Sequence, residues 1–199
     1  MIRLKVVLLT TTIAMVVGAT CAAAGQPKEW PIGRAPAAMR PAIAKADLVI
    51  TDVHGAFLRE LRAKMAKGGP LLALGVCHMT PQRLARQLKR RDGVVAGFTS
   101  DRLRNPANAA PSWAVGVIAR AAGQPAGMVD GFAVDLGPRV GVLRPLSEQP
   151  LCASCHGPVE LMDPRVSREL ARRYPADRAT GFGTDEIRGW YWVEILKEE

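Results

Sequence analysis

The stretch Cys152-Ala153-Ser154-Cys155-His156 decides how the rest of this chain is interpreted. Two cysteines separated by two residues and followed at once by a histidine form the attachment pattern of c-type haem. The two thiols can add to the porphyrin vinyl groups, and the histidine is then held under the ring, where its nitrogen can bind the iron. The motif therefore predicts covalent haem at Cys152 and Cys155, with His156 as an axial ligand.

A Cys-x-x-Cys pair can also be a redox-active dithiol or half of a zinc site. A thioredoxin-like pair belongs to a βαβ unit near the N-terminus, whereas this pair follows a predicted hairpin late in the chain. A structural zinc site needs a second pair of ligands at short spacing, and the sequence has no other Cys-x-x-Cys and no His-x-x-x-His. Haem attachment is therefore favoured over both alternatives.

The N-terminus has the pattern of an export signal. A short basic start precedes an apolar run over residues 6–20, which is too short to span a bilayer, and alanines at 22–24 offer a cleavage site. Lipid attachment at Cys21 is not expected, because Thr20 stands where that site needs Gly, Ala or Ser. We expect residues 1–24 to be a signal peptide, the protein to be periplasmic, and no transmembrane segment to remain after cleavage.

The chain is basic, with 27 Lys and Arg against 18 Asp and Glu. An exported protein meets no nucleic acid, and the basic residues are scattered, so a solvated surface that faces an acidic partner is favoured. The length suits one domain, placed at residues 43–199 behind a proline-rich lead at residues 25–42 that is predicted to lack regular structure.

The first half of the chain is predicted to be helical. Apolar residues recur at helical spacing from Ile43 to Lys67, and Gly68-Gly69-Pro70 ends that helix. A short helix follows at residues 70–77, and Thr80-Pro81 predicts the start of another. Strands are expected at 94–99, 128–135, 139–146 and 189–196, with helices at 111–122 and 165–173. Two of the strands form the hairpin that leads to the haem motif.

Cys77, His78 and Met79 are three consecutive side chains that can each bind haem iron. Successive residues of a helix point about 100° apart, so only one of them can face the iron. Cys77 shares an apolar stripe with Leu74, and it has no disulfide partner if haem takes the other two cysteines. A small buried thiol without a ligand role is an equally open interpretation of Cys77 from the residues alone.

Two further groups are candidates for the walls of the site. The polar segment at residues 102–108 is either a surface loop or a haem wall, because Arg102 and Arg104 can pair with haem propionates. Asn105 belongs to the same segment. His54, at the edge of an apolar helix stripe, is interpreted as a hydrogen-bonded histidine rather than as an iron ligand.

Several of these pieces together resemble a family of exported c-type haem proteins that is catalogued as a domain of unknown function. That family is similar in fold to PAS sensory domains, and it occurs alone or at the sensing end of signalling proteins. The matching pieces are Val76-Cys77, Thr99-Ser100, Arg104-Asn105-Pro106-Ala107-Asn108, Cys152-Ala153-Ser154-Cys155-His156-Gly157 and Tyr174-Pro175-Ala176-Asp177-Arg178-Ala179-Thr180-Gly181.

The resemblance implies an α+β fold, with a PAS-like antiparallel sheet flanked by helices and a helical N-terminal half. It also implies that His156 and the cysteine matching Cys77 are the axial pair of the iron, and His78 and Met79 stay as alternative ligands. We expect a redox or gas sensor that needs a separate signalling partner, or else a low-potential electron-transfer cytochrome c. An enzyme is not expected, because the chain has only three histidines and no evident acid–base set.

Overall fold

The computed structural model describes residues 27–198, apart from the side chains of residues 78, 79, 81, 91 and 92. The predicted signal peptide, Cys21 and the side chains of His78 and Met79 lie outside the described residues. Of the helices in the described part, none combines the length and the apolarity that a membrane span needs.

The structure is an antiparallel sheet with helices on both faces. The helices are α1 (Arg40–Asp92), α2 (Ser112–Ala121), α3 (Pro150–His156) and α4 (Pro164–Arg173). The strands are β1 (Glu29–Pro31), β2 (Val95–Thr99), β3 (Phe132–Asp135), β4 (Arg139–Ser147) and β5 (Ile187–Leu196). Their order across the sheet is β1-β3-β4-β5-β2, and every neighbouring pair is antiparallel. The predicted α+β class is confirmed, and the likeness to PAS domains stays a prediction.

The two central strands each bury both of their faces. Successive side chains of a strand point to opposite sides, so Val142 packs with the α1 residues of one core cluster while Leu143 packs with the α2 residues of another. In β5, Val193 joins the first cluster and Trp190 the second. This double burial explains why β5 is rich in β-branched and aromatic residues.

Helix α1 is a helical hairpin whose two arms meet at a pair of glycines. Gly69 has φ 66° and ψ −161°, a conformation that other residues rarely adopt. The arms before and after it pack together, with Phe57 and Leu61 on one arm against Ala73 and Val76 on the other. The predicted helix break is therefore confirmed.

The predicted helix start at Thr80 is wrong, since α1 continues through it to Asp92. The Thr80 side chain does not cap a helix. It is 2% exposed, and its Oγ1 donates a hydrogen bond of 2.8 Å to Oε2 of Glu60 on the other arm of α1. The Thr80 hydroxyl, which was predicted to cap a helix, therefore forms a tertiary contact between the two arms of α1.

Two further predictions need correction. The lead at residues 25–42 was predicted to be irregular, yet it contains β1, two 3₁₀ turns and the start of α1. Pro31 fits in β1 because β1 is an edge strand, where a missing N–H does not interrupt the sheet. The strand predicted at 128–135 begins only at Phe132, because Ala126–Met128 is a 3₁₀ turn and Gly131 has φ 120°.

We expect Thr80→Val to lower the free energy of unfolding by about 1–3 kcal/mol, because it removes a buried hydrogen bond between the arms of α1 and leaves the Glu60 carboxylate with one donor fewer. Thr51→Val is the matched control, because Thr51 is exposed and its Oγ1 donates within its own helix to the Asp47 carbonyl. Urea unfolding followed by circular dichroism measures both. Equal losses in the two variants would contradict the interpretation of Thr80.

Candidate functional site

A cleft opens between α1, β2, the loop after β2 and α3. The empty space between its walls, counted as far as open solvent, is about 1060 Å³. Most of the wall is apolar, with Phe57, Leu61, Phe98 and Leu151 among its side chains. The predicted site residues that line this cleft are Cys77, Arg102, Arg104, Asn105, Cys152, Cys155 and His156.

Helix α3 presents the Cys-x-x-Cys-His motif to the cleft. Cys152 and Cys155 are three residues apart on this helix, so their side chains lie on one face. The helix ends after His156, where the Gly157 amide donates a hydrogen bond of 2.9 Å to the Ala153 carbonyl. A Cβ at Gly157 would lie 2.7 Å from that carbonyl oxygen, so a larger residue there would displace the end of α3.

The His156 ring is buried and has a defined orientation. Its Nδ1 lies 2.7 Å from the Ala179 carbonyl oxygen, and since a carbonyl can only accept, Nδ1 carries the proton. In the neutral ring Nε2 then has the lone pair, and it accepts a hydrogen bond of 3.1 Å from Nη2 of Arg188. Burial, followed by the charges of Arg188 and Arg104, lowers the pKa of His156 well below its usual value. A neutral imidazole fixed through Nδ1 is the form that binds a metal through Nε2.

An ion pair between two loops holds the Ala179 carbonyl in place. Arg104 Nε donates to Asp177 Oδ2 at 2.8 Å, and the two side chains are only 10% and 11% exposed. Arg104 Nη2 also donates to the carbonyls of Cys155 and Ala179, at 2.5 and 3.1 Å. Asp177 Oδ1 accepts from the Ala179 amide at 2.7 Å. Arg104 and Asp177 therefore connect the helix that carries the motif to the loop that orients His156.

Arg102 lies in the same wall and also has protein partners. Its guanidinium forms a salt bridge with Glu186 and lies 3.5 Å from the centre of the Phe182 ring. The Phe182 amide donates to the His156 carbonyl at 3.0 Å, so this loop is attached to the end of α3. Both arginines that the sequence suggested as propionate partners thus have carboxylate partners within the chain.

Cys77 reaches the cleft from the second arm of α1. Burial raises the pKa of its thiol to about 11, against the opposing effect of Arg188, and Cys155 and Cys152 are close enough to raise it further. The structure thus brings Cys77 to the cysteine–histidine motif although the two are more than seventy residues apart in sequence. Its role as an iron ligand stays a prediction.

His54 has the hydrogen-bonded position that was predicted for it. Its Nδ1 lies 2.5 Å from the hydroxyl oxygen of Tyr191 in β5, and its ring lines the cleft. Burial, followed by the charge of Arg62, lowers the pKa of His54.

Three participants were not identified from the sequence: Asp177, Arg188 and Glu148. Asp177 and Arg104 have opposite charges, and both lie in the segments that carry the family resemblance. An ion pair between them could therefore have been predicted from the sequence. Arg188 is one of several scattered arginines, and no local pattern distinguishes it. Glu148 is 6% exposed, its two carboxylate oxygens have no hydrogen-bond partner, and burial raises its pKa to about 7.

The described side chains contain no group of three His, Cys, Asp or Glu residues that could hold a metal ion.

The fold and the cleft define an α+β protein that presents a cysteine–histidine motif in a largely apolar cleft. The chain belongs to the Tll0287-like family, whose model matches residues 34–195. In structure it is similar to the cyanobacterial heme-protein Tll0287, with a TM-score of 0.58 and 20% identity over 78% of this chain and 95% of that chain. The curated proteins contain no match.

We expect Asp177→Asn to lower the free energy of unfolding by about 3 kcal/mol, because it leaves the buried Arg104 guanidinium without its counter-charge. Asp163→Asn is the matched control. Asp163 pairs with Arg165 in an exposed salt bridge at the start of α4, and asparagine can also cap a helix. Chemical unfolding of both variants checks this, and a loss under 1 kcal/mol for Asp177→Asn would contradict the role given to the Arg104–Asp177 ion pair.

Glu148 should make the stability of the protein depend on pH. Its pKa of about 7 in the folded chain lies above the usual 4.5, so the folded state binds the proton more tightly than the unfolded state. Its contribution therefore becomes less favourable as pH rises from about 4.5 to 7, and it is constant above that. The charged and titratable groups around it are Arg188, Arg102, Arg104, Glu186 and Cys152.

We therefore expect Glu148→Gln to gain stability relative to the wild type as pH is raised from 5 to 8. The exposed Glu160, changed to Gln, is the control and should show no such trend. Urea unfolding at several pH values measures the difference, and a difference that is flat with pH would contradict the prediction.

Proposed function

We propose that this chain is an exported c-type haem protein, with haem attached at Cys152 and Cys155, and that it acts as a redox or gas sensor. One observation carries the proposal. The buried His156 has its Nε2 lone pair in a cleft that Cys152, Cys155 and Cys77 also line. Membership of the Tll0287-like family and the similar fold of the heme-protein Tll0287 support it.

The residues of the cleft fit a haem. Cys152 and Cys155 share one face of α3, as the two vinyl additions require, and the apolar wall suits a porphyrin. His156 would bind the iron through Nε2, with Ala179 fixing the ring from the other side. Cys77 would supply the second axial position from α1. Bound here, the haem would supply one-electron redox chemistry and an iron centre for small ligands.

The combination of histidine and thiolate favours a sensor. A thiolate donates charge to iron and stabilises the ferric over the ferrous form, so it lowers the reduction potential relative to histidine–methionine ligation. Weakening of the iron–sulfur bond on reduction would open the iron to a gas or to another side chain. We propose binding rather than catalysis, because catalysis would need an acid–base residue in the cleft. His54 also lines the cleft, but it is already hydrogen-bonded to Tyr191.

A low-potential electron carrier is the second candidate, and one observation favours it. Helix α4 packs Val166 and Leu170 against Cys155 and Leu74, while Arg165 and Arg172 are exposed. A basic helix directly beside the attachment motif can steer an acidic redox partner to the haem edge. In either case we propose that the protein is periplasmic, because its N-terminus is predicted to be a signal peptide for export.

We expect the ferric holoprotein to show low-spin EPR and absorption signatures of a thiolate-ligated haem, and Cys77→Ala to abolish them and to raise the midpoint potential, because the charge-donating ligand is lost. His54→Gln is the control, because it changes another cleft residue and should leave the signatures intact. The protein must be matured in a host equipped for haem attachment.

Other outcomes would change the assignment. A methionine–iron charge-transfer band would point to Met79 or Met162, and persistent high-spin iron would reopen the question of catalysis. Colourless protein would refute the proposed function. Titration with carbon monoxide or nitric oxide separates a gas sensor from an electron carrier, because a gas sensor should bind the gas in the ferrous state and a carrier should not.

A further inference from the structure

Arg188 is the second residue of β5 and lines the cleft. Its Nη2 donates to Nε2 of His156 at 3.1 Å, and its Nε is buried without a hydrogen-bond partner. A guanidinium has five N–H donors and binds carboxylates well in a two-pronged geometry. Arg188 therefore enters the cleft with donors to spare.

Arg188 differs in this from Arg102 and Arg104, the other two arginines of the cleft. Arg104 is bound to the Asp177 carboxylate and two carbonyls, and its Nη1 also lies 3.5 Å from His156 Nε2, while Arg102 is bound to Glu186. For Arg188, among the residues that the structure describes, the hydrogen-bond acceptor is a neutral imidazole. It is thus the cleft guanidinium best able to take an incoming anion.

Iron would bind His156 through the lone pair on Nε2. Arg188 must therefore release it when His156 binds iron, and a half-buried guanidinium that loses its acceptor needs another. A carboxylate is the matching group. It can come from a propionate of the haem or from the buried, unpartnered side chain of Glu148.

We propose that Arg188 is the residue that binds a haem propionate, and that in the haem-free chain it holds the iron-binding nitrogen of His156. This inference rests on the proposed function. The propionate is favoured over Glu148 because Glu148 is 6% exposed and is not part of the cleft wall. An ion pair formed there would lose much of its attraction to the desolvation of both charges. A propionate, by contrast, is ionised in water before it enters the cleft.

The decisive measurement compares protohaem with its dimethyl ester, which lacks both carboxylates. The host is the full chain with Cys152→Ala and Cys155→Ala, so that binding is reversible. Arg188→Gln should weaken protohaem binding roughly 10- to 100-fold, as expected for the loss of a charged hydrogen bond, and leave binding of the ester nearly unchanged. Arg120→Gln is the control, because Arg120 is exposed, pairs with Glu29 and does not line the cleft, and it should leave the ratio of the two affinities at its starting value.

An effect of Arg188→Gln that is equal for protohaem and the ester would overturn the inference, and if Glu148→Gln abolished that equal effect, Glu148 would be the partner instead. If the host binds neither porphyrin, the same substitutions are tested in the protein that carries covalently attached haem. In that protein, the midpoint potential measured against pH reports the propionate pKa, and Arg188→Gln should raise that pKa while Arg120→Gln should not. An unchanged profile would overturn the inference and leave the proposed function standing. Failure of the wild-type chain to acquire haem would refute the proposed function itself.

Discussion

The hydrogen bond from His156 Nδ1 to the Ala179 carbonyl is the contact on which the site depends. It fixes which ring nitrogen carries the proton, and so it leaves the Nε2 lone pair in the cleft. The carbonyl itself is held by the Arg104–Asp177 ion pair, which is almost fully removed from water. A buried ion pair adds little stability by itself, but it fixes the relative position of three segments that are distant in sequence.

The surrounding fold explains why such a polar arrangement can exist in an apolar cleft. The hairpin of α1 covers one face of the sheet, α2 covers the other, and α4 packs behind the motif helix. These apolar contacts supply the stability that the buried charges do not. The buried polar groups that lack a hydrogen-bond partner include the Nε of Arg188, a residue of the cleft wall, and the carboxylate of Glu148, which lies outside that wall.

The elements that sequence reasoning predicted well share one property: a local signal determines them. Strand β2, the β3–β4 hairpin, β5 and helices α2 and α4 follow from alternation, periodicity and turn residues. The break in α1 follows from Gly68-Gly69, because few other residues adopt φ near +66°. The errors arose where tertiary contact overrode the local pattern. Thr80 bonds to the opposite arm of α1 instead of capping a helix, and β1 forms because β3 offers it a free edge.

By itself, the sequence determined the class of fold and the attachment motif, because Cys152, Cys155 and His156 are adjacent and their spacing carries its own chemistry. The tertiary structure decided which distant side chains join them. Cys77 on α1 and Arg188 on β5 line one cleft with the motif, and Asp177, on a loop, is connected to the motif helix through Arg104. The physical reason is that hydrogen-bond and ion-pair partners are selected by the packing of the whole chain, whereas the three motif residues are brought together by their spacing within two turns of one helix.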